Sequence, residues 1–181
     1  MIGAACVLHH EHGGDKVHGR WTLELASGAL TVETERRGPG AFHAVLPDMH
    51  ARFHGEPSAI SRAQVASWFS LLDRDLDVVL AELGAEYAYL LDAEAGEGRH
   101  WNYDGVVEDA ATGSAAGCVA AYLHRHGLLG DDQDTELRQG RFINRPSLIS
   151  ISARSADGGI SVRVGGEVVL VGSGRLDVLP S

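Results

Sequence analysis

At 181 residues, with 44% hydrophobic side chains, the chain has enough apolar material to bury a core as one domain or two small ones. A net charge of −10 and a single lysine, Lys16, leave no basic stripe to neutralise a phosphate backbone, which excludes nucleic acid as an expected partner. No run reaches the roughly eighteen apolar residues of a membrane span and no secretory pattern opens the chain; a cytoplasmic protein without a membrane partner is expected, with Cys6 and Cys118 reduced.

The stretch Gly3-Ala4-Ala5-Cys6-Val7-Leu8 is small and apolar, turns polar through His9 to His12 and stops at Gly13, which predicts a helix with a glycine cap. Residues 21–25 alternate, Ala26-Ser27-Gly28 turns, and residues 29–35 alternate again before the breakers Arg37-Gly38-Pro39-Gly40, so two strands are expected. Over 61–83, Val65, Trp68, Phe69, Leu72, Leu76, Val79, Leu80 and Leu83 recur near the helical period, with Asp73 and Asp75 as interruptions. Residues 85–91 read as a strand and 94–98 as a loop. A second helix is expected over 114–126, ending at Gly127, then strands at 134–139 and 147–153 on either side of a turn at Gly140. Beyond the breakers Asp157-Gly158-Gly159, two closing strands are expected at 160–164 and 168–171, and a short last one at 176–179.

The order helix, strand, turn, strand occurs twice, and both helices carry a Cys-Val step and a His-x-His-Gly ending, at His10-Glu11-His12-Gly13 and His124-Arg125-His126-Gly127. This reads as an internal duplication. A helix as apolar as residues 115–123 has no face suited to water, so strands must cover it. The expected class is α+β, with a buried helix in each half.

The run Gly105-Val106-Val107-Glu108-Asp109-Ala110-Ala111-Thr112-Gly113-Ser114-Ala115-Ala116-Gly117 resembles the signature of the PhzF family of the diaminopimelate-epimerase-like fold. Gln139-Gly140, Arg145-Pro146-Ser147 and Gly166-Glu167-Val168-Val169-Leu170-Val171-Gly172 extend the resemblance to the tail. It implies two similar halves, each a curled mixed sheet around a central helix, with the site in a cleft, and it divides the chain into an incomplete N-terminal half at 1–57 and a PhzF-like half at 58–181. It also implies a homodimer or higher oligomer that moves protons on small acidic substrates without a redox or metal cofactor. The best-known family reaction isomerises a dihydro-hydroxyanthranilate. Relatives carry their principal acid/base glutamate, and a Gly-His-Pro motif, ahead of the helix that matches Ile2-Gly3-Ala4-Ala5. The expectation is therefore a shortened first half, arising from a late start site, from repurposing, or from a partner chain that supplies the missing pieces.

Proton transfer between carbons needs a base beside the C–H, a donor at the receiving carbon and hydrogen-bond donors for the charge that develops. Gly113 and Ser114 stand where a helix begins, so free N–H groups and the positive end of the dipole suit a carboxylate or enolate. By resemblance, Asp109 and Ser114 are the catalytic candidates, with Thr112, Gly113, Ala115 and Arg145 as substrate-binding candidates. Asp109 and Thr112 have a second open reading as helix caps. The histidines His9, His10, His12 and His18, and likewise His50 and His54, lack an ordered set of co-ligands and read as solvated; no metal site is expected. The Gly-x-Ser-x-Gly elbow is absent around Ser114, where Thr112 and Ala116 fill the glycine places, so serine hydrolysis is not expected. Arg138, Arg141 and Arg145 either clamp a carboxylate or face solvent, and Trp101 and Tyr103 either stack on a ring substrate or anchor a loop. Two function classes follow: a cofactor-independent isomerase of specialised metabolism, or a non-catalytic small-molecule-binding or scaffold protein that kept the pocket and lost the proton shuttle.

Overall fold

The computed structural model describes residues 1–26, 28–51, 53, 78, 80–81, 84–101 and 107–174. The chain divides into two units, Met1–Pro47 with Gly165–Ser181, and Asp48–Val164. The boundary expected between residues 57 and 58 lies outside the described residues, as do the strand expected at 176–179 and all of the 61–83 helix except the helical Val78, Leu80 and Ala81.

In the first unit, helix α1 (Ile2–His12) buries Ala5, Cys6 and His9 against the strands β1 (His18–Leu25) and β2 (Gly28–Gly38). Small residues at these helix positions let the backbone approach the sheet. Burial pushes the Cys6 thiol up to about 11. The helix ends at Gly13, whose N–H donates to His9 O at 3.0 Å. This glycine is not left-handed; it is required because a Cβ there would run into the His9 ring. His9 is fully buried, not solvated as expected. Its Nε2–H donates to Lys16 O at 2.9 Å, and Thr34 Oγ1 donates to its Nδ1 at 2.7 Å while accepting from Trp21 Nε1 at 2.9 Å.

The hairpin β1–β2 pairs His18 with Glu35 and Leu25 with Gly28, as the alternation predicts. Strand β3 (Ala41–Ala51) then pairs antiparallel with β2 across an irregularity between Arg36 and Gly38. The sequence reading assigns no element here, after the breakers Arg37-Gly38-Pro39-Gly40. The strand forms because Phe42, Ala44 and Leu46 alternate into the core of this unit.

The second unit contains β4 (Ala88–Asp92), β5 (Glu97–Trp101), β6 (Glu108–Asp109), helix α2 (Gly113–Arg125), β7 (Thr135–Gln139), β8 (Ser147–Ala156) and the first part of β9 (Gly159–Val169). Its strands lie in the order β9-β8-β7-β5-β4, with β6 on β5. The β5–β7 pair is parallel while β4–β5, β5–β6 and β7–β8 are antiparallel, so the sheet is mixed. Against it α2 buries Ala116, Val119, Ala120, Ala121 and Leu123 on a core of Leu137, Ile149, Ile151 and Val162. The class is α+β, and the order helix, strand, turn, strand appears in both units, as α1-β1-β2 and as α2-β7-β8.

Two expectations are corrected. Residues 97–101, read in part as loop, form β5 after a turn at 93–96, because their partners lie on β4, β6 and β7. The two closing strands are one continuous β9. Gly165 and Gly166 fall between the two expected strands, yet Gly165 is buried in the strand, where a Cβ would fall 2.6 Å from Ala44 O. Among the described residues no helix is long and apolar enough to cross a membrane.

Candidate functional site

The site is built in the second unit on the turn between β6 and α2. Glu108 and Asp109 are tied to β5 in register, Trp101 with Glu108 and His100 with Asp109. Glu108, with a side chain only 6% exposed, is gripped by the Arg99 guanidinium through Nε–Oε1 at 3.0 Å and Nη2–Oε2 at 2.6 Å. That guanidinium lies 4.6 Å from the ring centroids of both Trp101 and Phe142. Trp101 therefore carries a cation on its face in this structure, and Tyr103 lies outside the described residues.

Asp109 Oδ2 accepts from Thr112 Oγ1 at 2.6 Å, and Oδ1 accepts from Ala111 N at 3.5 Å. The Thr112 hydroxyl donates to Asp109 and accepts from Gln139, and Thr112 occupies the N-cap position without a side-chain capping bond. The capping reading is not met by Thr112, and among the described residues no side chain caps the N–H groups of the first turn of α2.

Gln139, 1% exposed, holds the turn in place. Its Nε2 donates to Asp109 O at 2.8 Å and to Thr112 Oγ1 at 3.0 Å, and its Oε1 accepts from Tyr89 Oη at 3.3 Å and from Thr112 N at 3.4 Å. The next residue must be glycine. Gly140 has φ +83, and a Cβ there would fall 2.7 Å from Ala110 O. Gly98 serves the same end, since the Tyr89 ring lies over it and leaves no room for a side chain. Burial pushes the Tyr89 phenol up to about 12.

The first turn of α2 opens on a cleft of about 710 Å³ whose walls include Ser114, Ala115, Phe53, Tyr87, Tyr89, Tyr122 and His100. Ser114 and Ala115 therefore reach the cleft directly. Asp109, Thr112 and Gly113 form the turn that leads into it and are not among its lining residues. Arg145 is exposed; its N–H donates to Gly140 O at 2.9 Å, and its side chain does not line the cleft. Arg141 is spent on Glu97 in a bidentate pair at 2.7 Å, and Arg138 is exposed on β7. The Arg141 guanidinium holds the Glu97 carboxyl below its usual range.

The residue the sequence gives no signal for is His100. It stands on β5 between Tyr89 of β4 and Asp109 of β6, 5% exposed, with its ring centroid 5.6 Å from Tyr87 and 6.2 Å from Tyr89. Burial pulls its pKa below the ordinary 6.5, with the Asp109 charge opposing in part, so the imidazole is uncharged at neutral pH.

The chain is similar to known proteins in sequence and fold. Residues 93–174 match the sequence profile of the PhzC-PhzF family, described as phenazine biosynthesis-like protein. A solved structure from Pseudomonas aeruginosa, described as a predicted epimerase, is 35% identical with a TM-score of 0.76, covering 95% of this chain and 73% of that one. The chain belongs to the phenazine biosynthesis-like family. Within the family, the trans-2,3-dihydro-3-hydroxyanthranilate isomerase of Pseudomonas chlororaphis is 46% identical over 89 residues, which amount to 45% of this chain and 32% of the isomerase. The matched stretch thus spans about a third of that curated relative. A Bacillus anthracis phenazine biosynthesis protein of the PhzF family shares the fold at 17% identity and a TM-score of 0.66, covering 93% of this chain and 72% of that one.

Proposed function

We propose that the protein is an isomerase that moves a proton on a small, ring-bearing carboxylic acid held in the cleft at the start of α2, without a metal or redox cofactor. The observation that carries this reading is the first turn of α2: among the described residues no side chain caps its N–H groups, and Ser114 and Ala115 face an aromatic-walled cleft. Free N–H groups at a helix N-terminus favour a carboxylate, and they also stabilise the negative charge that builds up when a C–H beside a carbonyl or carboxyl group loses its proton. Ser114 adds a hydroxyl donor. Asp109, held by Thr112 and Gln139, is the acid/base or orienting group, with Thr112, Gly113 and Ala115 shaping the subsite. The family relationship to a dihydro-hydroxyanthranilate isomerase supports the reaction class.

Solvent-deuterium uptake is the direct test. Trans-2,3-dihydro-3-hydroxyanthranilate incubated in heavy water should gain carbon-bound deuterium, and Asp109→Asn and Ser114→Ala should each lower the rate about a hundred-fold or more while the fold survives. Unchanged rates in both variants would remove this site. One observation favours a second reading: the Asp109 carboxylate is bonded within its own turn and does not line the cleft. A binding protein without proton transfer would retain the acid and exchange nothing. A homodimer or higher oligomer, a cytoplasmic setting and a role in specialised metabolism complete the proposal. A sedimentation coefficient that stays monomeric at every concentration would remove the first of these.

A further inference from the structure

Among the described residues, the buried side-chain nitrogens left without a partner are Arg36 Nε and His100 Nδ1. Arg36 satisfies its Nη2 on His9 O and Gly14 O, at 3.2 and 3.1 Å, so its guanidinium is anchored even with Nε unpaired. His100 has no such anchor. A buried nitrogen without a hydrogen bond lowers stability, and a phenylalanine or methionine would fill the same strand position without that cost. Packing therefore gives no reason for an imidazole between Tyr89 and Asp109. The same ring lines the cleft on which Ser114 and Ala115 open.

We propose that His100 is a ligand-contacting residue: it hydrogen-bonds a ring hydroxyl or amino group of a planar carboxylic acid whose carboxylate sits on the first turn of α2. The proposal rests on the acid-binding reading of the cleft above. An imidazole that stays uncharged at neutral pH offers one N–H and one acceptor nitrogen. A hydroxyl or amine pairs with whichever of the two nitrogens it meets, donating to the lone pair or accepting from the N–H, whereas a second carboxylate can only accept. Tyr87 and Tyr89, already tilted against His100, and Tyr122 supply the aromatic surface a flat ring stacks on. His100 would then select for a substituted ring, while the helix start selects for an acid.

The test compares two probes, 3-hydroxyanthranilate and benzoate, by calorimetry with the wild type and with His100→Phe. The expected result is a His100→Phe protein that melts at or above the wild-type temperature and binds 3-hydroxyanthranilate about ten-fold more weakly, with benzoate affinity unchanged. If His100→Phe does not fold, His100→Met takes its place. Nitrogen NMR of the wild type is a readout without any variant: the His100 ring resonances should shift with 3-hydroxyanthranilate and stay in place with benzoate. A lower melting temperature with equal affinity for both probes would make His100 structural and overturn the proposal alone. Failure of the wild type to bind either acid would overturn the acid-binding reading and this proposal with it.

Discussion

Among the described residues each unit buries a histidine, His9 in the first and His100 in the second, and the fold treats the two differently. His9 is bonded at both ring nitrogens, to Thr34 and to Lys16 O, with Trp21 completing the chain of donors and acceptors. His100 is buried almost as deeply, yet its Nδ1 is unpaired and its ring borders a cleft. A satisfied buried network adds stability and rigidity, whereas an unsatisfied one costs stability and needs another reason to persist. The contrast sets a structural histidine at the end of α1 against the one beside the proposed site at the start of α2.

The largest effect should come from His9→Ala. It removes a fully buried ring, strands Thr34 and Lys16 O, and opens a cavity beside Phe42, whose ring centroid lies 5.3 Å away. Urea unfolding should show a loss of about 3–5 kcal/mol. A loss under about 1 kcal/mol would break the comparison at its structural end.

Next is Gln139→Leu, nearly equal in volume. It leaves Asp109 O, the Thr112 N–H and Tyr89 Oη without this partner, at a cost of about 2–4 kcal/mol, and the loosened turn should lower deuterium uptake as well. Wild-type exchange in a destabilised variant would show that the turn does not position the reacting groups.

A smaller effect, and one with a defined sign, is expected at His100. Because burial depresses its pKa in the folded state, the unfolded chain binds the proton first as pH falls through 6.5. Folding stability should therefore drop on acidification from that point down to the folded pKa. Substituting His100→Phe removes this contribution, so its stability advantage over the wild type should widen between about pH 7.5 and about pH 5.5. An advantage that shrinks in that window would contradict a neutral buried imidazole.

The smallest effect is expected for Arg141→Ala. Its pair with Glu97 has good geometry, but the guanidinium end stands in solvent, where side-chain entropy and salt offset the attraction. The unfolding midpoint should not move measurably.

Much of this was legible in the residues. The hairpin β1–β2, helix α2 and the strands β7 and β8 follow from local periodicity and turn chemistry, and the Glu108-to-Gly117 run pointed to the family and to the helix start as the candidate site. Local pattern failed wherever pairing decided the outcome. Strand β3 survives Pro47 because its Phe42, Ala44 and Leu46 face the core, and β9 runs through Gly165 because the chain at Ala44 passes too close for a side chain. The histidines show the same limit: His9 read as solvated and is buried, while His100 carried no signal.

By itself, the sequence determined helices α1 and α2, the strands β1, β2, β7 and β8, their repeated order, and the segment proposed as the site, because each depends on neighbours a few residues apart. Only the tertiary structure decided that Thr112 serves Asp109 instead of capping its helix, that Gln139 clamps the turn from 27 residues away, and that His100 lies unpaired at the cleft. Burial and hydrogen-bond partners are set by strands that meet only after folding, so no local reading of β5 contains them.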